Sequence, residues 1–469
     1  MIVKIDSMLR LQEVSPRVLE QVKAELTIKN PDHVKKKAMG LSRWAWGPEY
    51  VKLWSEKDIN GKKEYILPRG YYARLLEILG GWVPVKDNRI VLQPVKFPKK
   101  PELRDYQLPA IQKAKDWQQG VIIMPCGSGK TECADGIVAE LRQPTLWITH
   151  TMDLLKQSMD RAVSRLGLTG RQIGIIQGEN MSIGTHMTFA TVQTLAKRDL
   201  SEIKNMFGCV IVDESHLCFK DDAKSRMFAD VISQFPAYYR FGMTASEYRS
   251  DGLIETMFHI IGPKIYEVAQ DDPRLMTMMP RVEFIETDFE YAPEEGEMLN
   301  VQQMISEMKY DSGRDSILKM VLEMAIGGCC LVLGDSLDHL RILKEYTELF
   351  LGQKAAFVCG ETPKKEREKI MADMRAGKYQ YLFATYQLAK LGLDIPRLNL
   401  LVLATPKRDK TSVQQAVGRI MRPFEGKGQP VVYDIWDSKV PQLRYWARER
   451  VKVYRSLGCE IVGGPRVRK

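Results

Sequence analysis

The sequence lacks the features that mark membrane-spanning, secreted and zinc-binding proteins. None of its apolar runs approaches the ~18 residues of a transmembrane helix, and the opening MIVKIDSMLR carries charges where a signal peptide is apolar. Its eight cysteines include no C-x-x-C pair, so we expect small, reduced, buried residues and neither a structural zinc site nor disulfide bonds. These absences predict a cytoplasmic protein with no membrane-embedded part.

Length, composition and charge predict several folded domains, one of them basic. The 469 residues suggest about three domains of ~150 residues each, and contents of 44% hydrophobic and 27% charged residues are those of a globular protein. The net charge is +10, and residues 1–100 alone contain 20 Lys and Arg against 11 Asp and Glu. We therefore predict a basic N-terminal domain over residues 1–100 that binds nucleic acid.

Tryptophans are concentrated in the same basic domain. Four of the eight lie there, namely Trp44, Trp46, Trp54 and Trp82. Aromatic and basic residues together can stack on bases and bind phosphates, but a small domain can also use tryptophans as core and lysines for solubility. We favour the core for the tryptophans. Both interpretations stay open for the lysines, chiefly Lys35, Lys36, Lys37, Lys62 and Lys63, of which the first three are the candidates for nucleic-acid contact.

Beyond a proline-containing linker at 95–103, short apolar runs alternate with amphipathic stretches. This alternation predicts α/β domains in which parallel sheets are covered by helices on both faces. A first series of predicted strands occupies 121–124, 145–149, 209–213 and 239–243. A second series occupies 329–333, 355–359, 381–385, 400–404 and 431–435. We predict domains at 101–275 and 313–469, joined by an acidic, irregular linker at 276–312.

A phosphate-binding loop is predicted after the first of these strands. The residues predicted to surround the phosphates are Gly127, Ser128, Gly129, Lys130 and Thr131. The glycines would let backbone N–H groups curve around the phosphates, the lysine would reach the β and γ phosphates, and the threonine would bind Mg²⁺. The general pattern has a glycine where this chain has Met124, but strand, turn and helix are all present. The loop predicts a site for ATP and Mg²⁺.

Two adjacent carboxylates follow the third predicted strand. In VIVDESH (210–216), Asp213 and Glu214 would stand at the end of a buried strand, where acids are costly unless a cation or a function keeps them. Asp213 is predicted to hold Mg²⁺ through water, and Glu214 to polarise the attacking water. Together with the phosphate loop, this pair predicts a nucleoside triphosphatase.

Two arginines near the C-terminus have the spacing of an anion-binding pair. Arg419 and Arg422 lie in QQAVGRIMRP (414–423), and in a helix residues i and i+3 share one face. Negative charge develops on the γ-phosphate oxygens during phosphoryl transfer, and an arginine delivered from another domain can stabilise it. We predict this catalytic role for both arginines.

The order of these motifs resembles that of the superfamily 2 helicases of the DExH type. LRDYQLPAI resembles the entry motif that binds adenine and contains Arg104 and Gln107, while PCGSGKT and DESH resemble motifs I and II. MTAS, with Thr244 and Ser246, resembles motif III, which couples the nucleotide to the nucleic acid. The histidine of DESH, here His216, can share in that coupling, as in DExH relatives, or simply cap the loop, and we favour coupling.

Two further motifs of the family follow in the second domain. ATYQLAKLGLDIP resembles motif V, with Gly392 and Asp394 near the nucleotide, and QAVGRIMR resembles motif VI. In motif VI, Gln415 can sense the nucleotide or simply bond to the helix, and the resemblance favours sensing. The resemblance covers about 104–423 and implies two tandem RecA-like domains that couple ATP hydrolysis to a nucleic acid.

Threonines at strand ends are weaker candidates. Where the family contacts the nucleic-acid strand, this chain has Thr149, Thr191, Gln193 and Thr385. Such threonines can equally satisfy backbone groups at the ends of strands, and both interpretations of Thr149 and Thr191 stay open.

Within the superfamily, the combination of TAS, DESH and a small basic N-terminal domain is most similar to the UvsW, RecG and XPB types, and in its size and economy the chain resembles phage recombination helicases. That resemblance implies a monomeric, ATP-driven motor that remodels forked or branched DNA in the cytosol of a bacterium or a phage-infected host. Two alternatives stay open, an RNA helicase and an ATP-gated DNA clamp without net translocation.

Overall fold

The structure is a computed structural model of the 469-residue chain. It describes residues 1–125, 127–216, 222–245, 254–269, 272, 274–275, 278–292, 300–390, 393 and 395–466. The chain divides into two compact units. One comprises Met1–Pro125 and Gly129–Ala269, and the other comprises Gln270–Lys469 with the short segment Cys126–Ser128.

The N-terminal domain is an α+β fold with its own core. Its elements are β1 (Ile2–Ile5), β2 (Met8–Gln12), α1 (Pro16–Glu25), β3 (Thr27–Lys29), α2 (Pro31–Ala38), β4 (Tyr50–Lys52), β5 (Ser55–Ile59), β6 (Lys62–Pro68), α3 (Tyr72–Leu79) and β7 (Val85–Asp87). The main sheet has the order β5-β6-β2-β1-β7, and β3 pairs with β4. Alternate residues such as Val3, Ile5, Leu9 and Leu11 are buried, as a sheet covered on one face requires.

Buried arginines join this domain to the one that follows it. Arg69 donates from Nη1 to the Ala237 carbonyl at 2.6 Å and from Nε to Gln119 Oε1 at 2.8 Å. In the other direction, Arg240 donates from Nη2 to the Ser7 carbonyl at 3.2 Å. Residues on both sides of the predicted boundary at 100–101 therefore belong to one compact unit.

The second domain of this unit is a sheet of parallel strands between helices. Its elements are α4 (Leu108–Trp117), β8 (Gln119–Ile123), α5 (Lys130–Leu141), β9 (Thr145–Thr149), α6 (Met152–Leu166), β10 (Ile173–Gln177), β11 (Asn180–Met181), β12 (Met187–Thr191), α7 (Val192–Ala196), β13 (Cys209–Val212), α8 (Asp222–Ile232), β14 (Tyr239–Thr244), α9 (Ile254–Ile261) and β15 (Lys264–Glu267). In the described residues the strand order is β11-β10-β12-β9-β13-β14-β8-β15, and β11 pairs antiparallel. Central strands are buried throughout, which explains their continuous apolar sequences.

The second unit has a parallel sheet of similar construction. Its elements are β16 (Arg281–Thr287), α10 (Val301–Met308), α11 (Ser312–Met324), β17 (Cys330–Gly334), α12 (Leu337–Leu349), β18 (Ala355–Val358), α13 (Lys364–Arg375), β19 (Tyr381–Thr385), α14 (Tyr386–Lys390), β20 (Leu400–Leu403), α15 (Lys410–Ile420), β21 (Val431–Asp437), α16 (Pro441–Ser456) and β22 (Glu460–Val462). The order is β18-β19-β17-β20-β21-β16-β22. The predicted fold class, two parallel-sheet α/β domains after a small α+β domain, is confirmed.

The predicted linker at 276–312 differs from the structure. Strand β16 lies in this segment and pairs in parallel with β21 along its whole length, from Arg281 opposite Val431 to Thr287 opposite Asp437. Helix α10 also falls within it. The Thr287 hydroxyl donates to Asp437 Oδ1 at 2.6 Å, which fixes the end of the strand. Strand β16, within the predicted linker, is therefore an integral part of the sheet of the second unit.

The expectations about cysteine and membranes concern only part of the chain. Six cysteines are described as free thiols, and each is buried or partly buried, in agreement with the prediction. Cys126 and Cys218 lie outside the described residues. Among the helices that the structure describes, none combines the length and apolarity needed to cross a bilayer.

Candidate nucleotide and nucleic-acid site

The phosphate loop follows β8 and ends at the first residue of α5. Gly127 and Gly129 have φ angles of 80° and 82°, in the left-handed region that glycine adopts without strain. A Cβ atom on Gly129 would lie only 2.6 Å from Gln107 Nε2, so a larger residue would collide there. Ser128 is buried, and Lys130 and Thr131 open the helix. This is the strand–turn–helix arrangement that a phosphate site requires.

The entry motif contacts this loop directly. Gln107 is buried and donates from Nε2 to the Gly129 carbonyl at 3.0 Å, while its Oε1 accepts from the Arg104 N–H at 2.8 Å. Arg104 also donates from Nη1 to the Tyr106 hydroxyl at 2.8 Å. The predicted contact of Gln107 with adenine stays a prediction. The structure adds a second role, because the Gln107 amide holds the backbone of the phosphate loop.

The two predicted acids stand at the end of β13. Asp213 is buried, and its Oδ1 accepts from the Glu214 N–H at 3.0 Å. Burial, followed by repulsion from Glu214, raises the pKa of Asp213 to about 6, whereas the charge of Lys130 lowers it. Glu214 has a φ of 48°, in the left-handed region that non-glycine residues adopt only at a cost in free energy. Such local strain is typical of functional positions.

A chain of polar contacts links the phosphate loop to motif III. Lys130 Nζ lies 3.6 Å from Glu214 Oε1, and Glu214 Oε2 lies 3.4 Å from His216 Nδ1. The same His216 nitrogen lies 2.9 Å from the Thr244 hydroxyl, which is fully buried. The structure therefore brings together four predicted residues from three separate motifs. Ser246, the last residue of motif III, lies outside the described residues.

Helix α6 carries three polar residues that the sequence analysis missed. Ser158 donates from Oγ to Asp213 Oδ2 at 3.0 Å, and Arg161 donates from Nη1 to Thr131 Oγ1 at 3.4 Å. One turn further on, Arg165 pairs with the Glu132 carboxylate. No motif marks these positions. Their i, i+3, i+7 spacing on the helix that follows Thr149 was the only available signal.

The threonines predicted to touch nucleic acid bond to the chain itself. The Thr149 hydroxyl donates to the Thr151 carbonyl at 3.0 Å, and Thr191 is the N-cap of α7 and accepts from the Thr194 N–H at 3.3 Å. These bonds match the structural interpretation of both residues. Gln193 is exposed and donates to the His150 carbonyl at 3.0 Å, so the nucleic-acid role stays a prediction for all three.

In the second unit, the arginine motif extends past the end of a helix. Arg419 lies in the last turn of α15, which ends at Ile420, whereas Arg422 follows the C-terminal cap. The predicted shared helix face is therefore wrong, because Arg422 is not helical. Gln415 lies on the same helix, and its Oε1 is buried without a hydrogen-bond partner among the described residues. Thr385 ends β19, while Gly392 and Asp394 lie outside the described residues.

Aromatic residues of the N-terminal domain do not behave uniformly. Trp44 is 98% exposed and Trp82 is 78% exposed, so the prediction of a core role is wrong for both. Trp54 is partly buried, donates to the Thr27 hydroxyl at 3.0 Å and packs against the domain core. Trp46 is also partly buried.

The predicted lysines lie on α2, and one of them, Lys37, lies close to Trp46. Lys37 is exposed, and its ammonium lies 5.6 Å from the centre of the Trp46 ring. Lys36 is partly buried, and the side chain of Lys35 lies outside the description. Lys37 and Trp46 therefore bring a basic and an aromatic side chain together at this part of the domain.

The residues predicted to hold Mg²⁺ have suitable chemistry. Thr131 and Asp213 offer hydroxyl and carboxylate oxygens, the hard ligands that Mg²⁺ prefers. Within the described residues, no group of three or more His, Cys, Asp and Glu side chains could hold a metal by itself. Mg²⁺ commonly takes one or two protein ligands and completes its shell with water and substrate phosphates, so these two residues fit the ion.

Two family models match the chain. Residues 100–249 match the family described as type III restriction enzyme, res subunit, and residues 313–423 match the helicase conserved C-terminal domain. The first range contains the phosphate loop and the acid pair, and the second contains the arginine motif. Both matched ranges therefore contain helicase domains, which use ATP, and they support the resemblance of the chain to the superfamily 2 helicases.

Two relatives of the chain are named helicases, one for RNA and one for DNA. A putative ATP-dependent RNA helicase of Acanthamoeba polyphaga mimivirus is 29% identical over 329 residues, covering 68% of this chain and 60% of that protein. The DNA 3'-5' helicase XPB of Mycobacterium tuberculosis is 27% identical over 384 residues, covering 80% of this chain and 66% of that protein. The chain thus spans less than two thirds of the length of each.

A solved structure supports the fold alone. The structure of S. cerevisiae Dbp5 bound to RNA and ADP BeF3 is similar with a TM-score of 0.57 and 13% identity, covering 77% of this chain and 90% of that chain.

Proposed function

We propose that the protein is an ATP-driven translocase that acts on DNA. The observation that carries this proposal is the series of contacts from Lys130 through Glu214 and His216 to Thr244. It connects the phosphate loop to the motif that couples nucleotide and nucleic acid in this superfamily. A nucleotide-binding domain without a motor role would not need that connection.

In this proposal each residue of the nucleotide site has a distinct task. The phosphate loop and Lys130 bind the phosphates, and Glu214 orients the attacking water. Thr131 and Asp213 hold Mg²⁺, which supplies positive charge to the phosphate oxygens when bound. Arg419 and Arg422 stabilise the negative charge that develops during transfer. Alternation between nucleotide states then changes the affinity for the nucleic acid and moves the motor along it.

DNA is the favoured nucleic acid. The mycobacterial relative is named a DNA helicase, whereas the mimivirus relative is named an RNA helicase, so RNA is the second candidate. The N-terminal sequence has no RNP, KH or zinc-knuckle signature, which lowers the RNA alternative.

Branched DNA is the favoured form of that substrate. Lys37 and the almost fully exposed Trp44 both lie at the surface of the N-terminal domain, which suits phosphate binding combined with stacking on an unpaired base or on the end of a duplex. Such features occur together at forks and Holliday junctions. We therefore propose a monomeric motor that reverses forks and migrates branches.

The test is ATP hydrolysis measured at one salt concentration on a panel of nucleic acids. The panel contains no nucleic acid, single-stranded DNA, linear duplex, forked DNA, a Holliday junction and RNA, with Lys130→Ala as the inactive control. We expect the strongest stimulation with forks or junctions. Stimulation by RNA alone would overturn the choice of DNA while leaving the ATP chemistry in place, and stimulation by linear duplex alone would overturn branch specificity.

A triplex-displacement assay separates translocation from an ATP-gated clamp. A translocase displaces the third strand in an ATP-dependent manner, whereas a clamp binds and releases DNA without displacing it. Displacement that needs ATP and is lost in Lys130→Ala supports the motor. ATP-dependent binding without displacement would establish the clamp instead.

A further inference from the structure

We propose that helix α6 is a coupling lever whose side chains Ser158 and Arg161 position the Mg²⁺ ligands in response to nucleic-acid binding at the N-terminal end of the helix. The inference rests on the proposed function, because it assumes that this end of the helix receives a nucleic acid. It assigns positioning roles to two residues that lie outside every motif identified in the sequence.

The N-terminal end of α6 is tied to the predicted strand contacts. Thr151 is the N-cap of the helix and accepts from the Leu154 N–H at 3.4 Å. The Thr149 hydroxyl donates to the Thr151 carbonyl at 3.0 Å, and Gln193 donates to the neighbouring His150 carbonyl at 3.0 Å. A phosphate that displaced either side chain would therefore act directly on the start of the helix.

The middle of the same helix holds both predicted Mg²⁺ ligands. Ser158 donates to Oδ2 of the buried Asp213 at 3.0 Å, while the Glu214 N–H donates to Oδ1, so the hydroxyl helps to orient this carboxylate. Arg161 donates to the Thr131 hydroxyl at 3.4 Å, a long hydrogen bond. Groups that orient metal ligands typically change metal affinity or activity by roughly 10- to 100-fold when they are removed.

Further along α6, Arg165 anchors the helix to the one that begins in the phosphate loop. It pairs with Glu132 in the first turn of α5, and its Nη1 lies 3.7 Å from Oδ2 of the buried Asp135. Residues 158, 161 and 165 share one helix face. Ser158 lies seven residues after the N-cap, about 10 Å along the axis at ~1.5 Å per residue. A single helix therefore joins the predicted nucleic-acid contacts at its N-terminal end to the predicted Mg²⁺ ligands.

The experiment measures the Mg²⁺ concentration that gives half-maximal binding of a fluorescent, non-hydrolysable ATP analogue, with and without saturating forked DNA. In the wild-type protein we expect DNA to lower this concentration about tenfold. In Ser158→Ala the ratio of the half-maximal Mg²⁺ concentrations without and with DNA should be close to one, and in Arg161→Gln it should be smaller than in the wild type. Ser158→Thr keeps the hydroxyl and should restore the effect. Ser164→Ala, on the exposed side of the same helix, is the matched control and should behave like the wild type.

Reciprocity supplies a second readout that a purely structural defect would not produce. If DNA changes the affinity for the Mg²⁺-nucleotide by a given factor, the nucleotide must change the affinity for DNA by the same factor. Both factors should fall together in Ser158→Ala while its thermal midpoint stays that of Ser164→Ala. The lever would be overturned if Ser158→Ala and Arg161→Gln both kept the wild-type ratio of half-maximal Mg²⁺ concentrations without and with DNA. It would also be overturned if the wild-type protein bound DNA but gave a ratio of one. Absence of any DNA binding by the wild type would instead overturn the proposed function on which the lever rests.

Discussion

Polar residues are used in opposite ways in two regions of the first unit. In the nucleotide site, the Lys130 side chain is 11% exposed and forms an ion pair with Glu214, and the Asp213 side chain is buried. On the N-terminal domain, Lys37 is exposed and Trp44 is 98% exposed. Buried polar groups need fixed partners because desolvation is costly, whereas exposed groups are free to meet a ligand. Changes in the first region should stop chemistry, and changes in the second should weaken binding.

The sharpest test of that contrast is Lys130→Ala. The substitution removes the ammonium that we propose binds the β and γ phosphates, so hydrolysis should fall by at least ~10³-fold. DNA affinity measured without nucleotide should stay within about twofold of the wild type, since the exposed N-terminal region is unchanged. Turnover is followed by phosphate release and binding by fluorescence anisotropy. A variant that still hydrolysed ATP at a normal rate would remove the nucleotide site from this loop.

Arg422→Ala extends the comparison to the second unit. Arg422 follows the end of α15, and its carbonyl accepts from Lys427 Nζ at 2.7 Å, a backbone contact that the substitution keeps. We expect hydrolysis to slow by roughly 10³-fold with much less change in ATP affinity, because the proposed role of the guanidinium is to stabilise charge that develops in the transition state. Single-turnover kinetics and equilibrium nucleotide binding separate these effects. Arg422→Lys should recover only part of the rate, and normal turnover in Arg422→Ala would contradict the role.

The nucleotide site was predictable where the chemistry is local in sequence. Turn glycines, a lysine at a helix start and acids at a strand end follow each other along the chain, so the side chains of Lys130 and Asp213 could be assigned roles before any fold was known. Ser158 could not, because its contact with Asp213 spans 55 residues and depends on how α6 lies against the sheet. Thr149 and Thr191 carried two meanings, and only the structure shows their bonds to backbone groups.

The fold was predictable where strands are buried on both faces. Continuous apolar runs such as that of β17 (Cys330–Gly334) mark central parallel strands, and all five predicted strands of the second unit are present. Strand β16, RVEFIET, was missed because its charged residues conceal a partly buried pattern. Exposure of Trp44 was also missed, because composition gives an aromatic residue a preference for the core but does not show its neighbours.

A pH titration tests the junction between the N-terminal domain and the domain that contains the nucleotide site. His259 lies in α9, and its ring centre is 5.3 Å from that of Tyr71 in the N-terminal domain. Burial lowers the pKa of His259 to about 4, so the folded protein favours the neutral ring. The pKa of His259 is lower in the folded protein than its unfolded value of ~6.5. The neutral ring therefore makes its full contribution to the free energy of unfolding above pH ~6.5, and this contribution is lost as the pH falls towards 4. The loss amounts to at most about 3 kcal/mol.

His259→Gln provides the comparison for this titration. Between pH 6.5 and 4.5 the stability of the wild type should fall more steeply than that of the variant, as urea midpoints followed by tryptophan fluorescence will show. The difference between the two curves isolates this side chain from carboxylates such as Glu25, whose pKa of about 2 reflects its hydrogen bond with Arg74. Parallel curves would mean that the ring accepts a proton without disturbing the junction.

Trp44→Ala carries the smallest expected effect, because an exposed ring contributes little to folding. Stacking on a base is worth about 1–3 kcal/mol, so affinity for forked DNA should fall by roughly tenfold at fixed salt, with an unchanged urea midpoint. Trp54→Ala is the counterpart within the same domain, since Trp54 bonds to Thr27 and packs on the core. It should lower the urea midpoint. Trp44→Phe should keep most of the affinity, whereas equal DNA affinities for Trp44→Ala and the wild type would show that the exposed ring takes no part in binding, leaving phosphate contacts as the basis of the interaction.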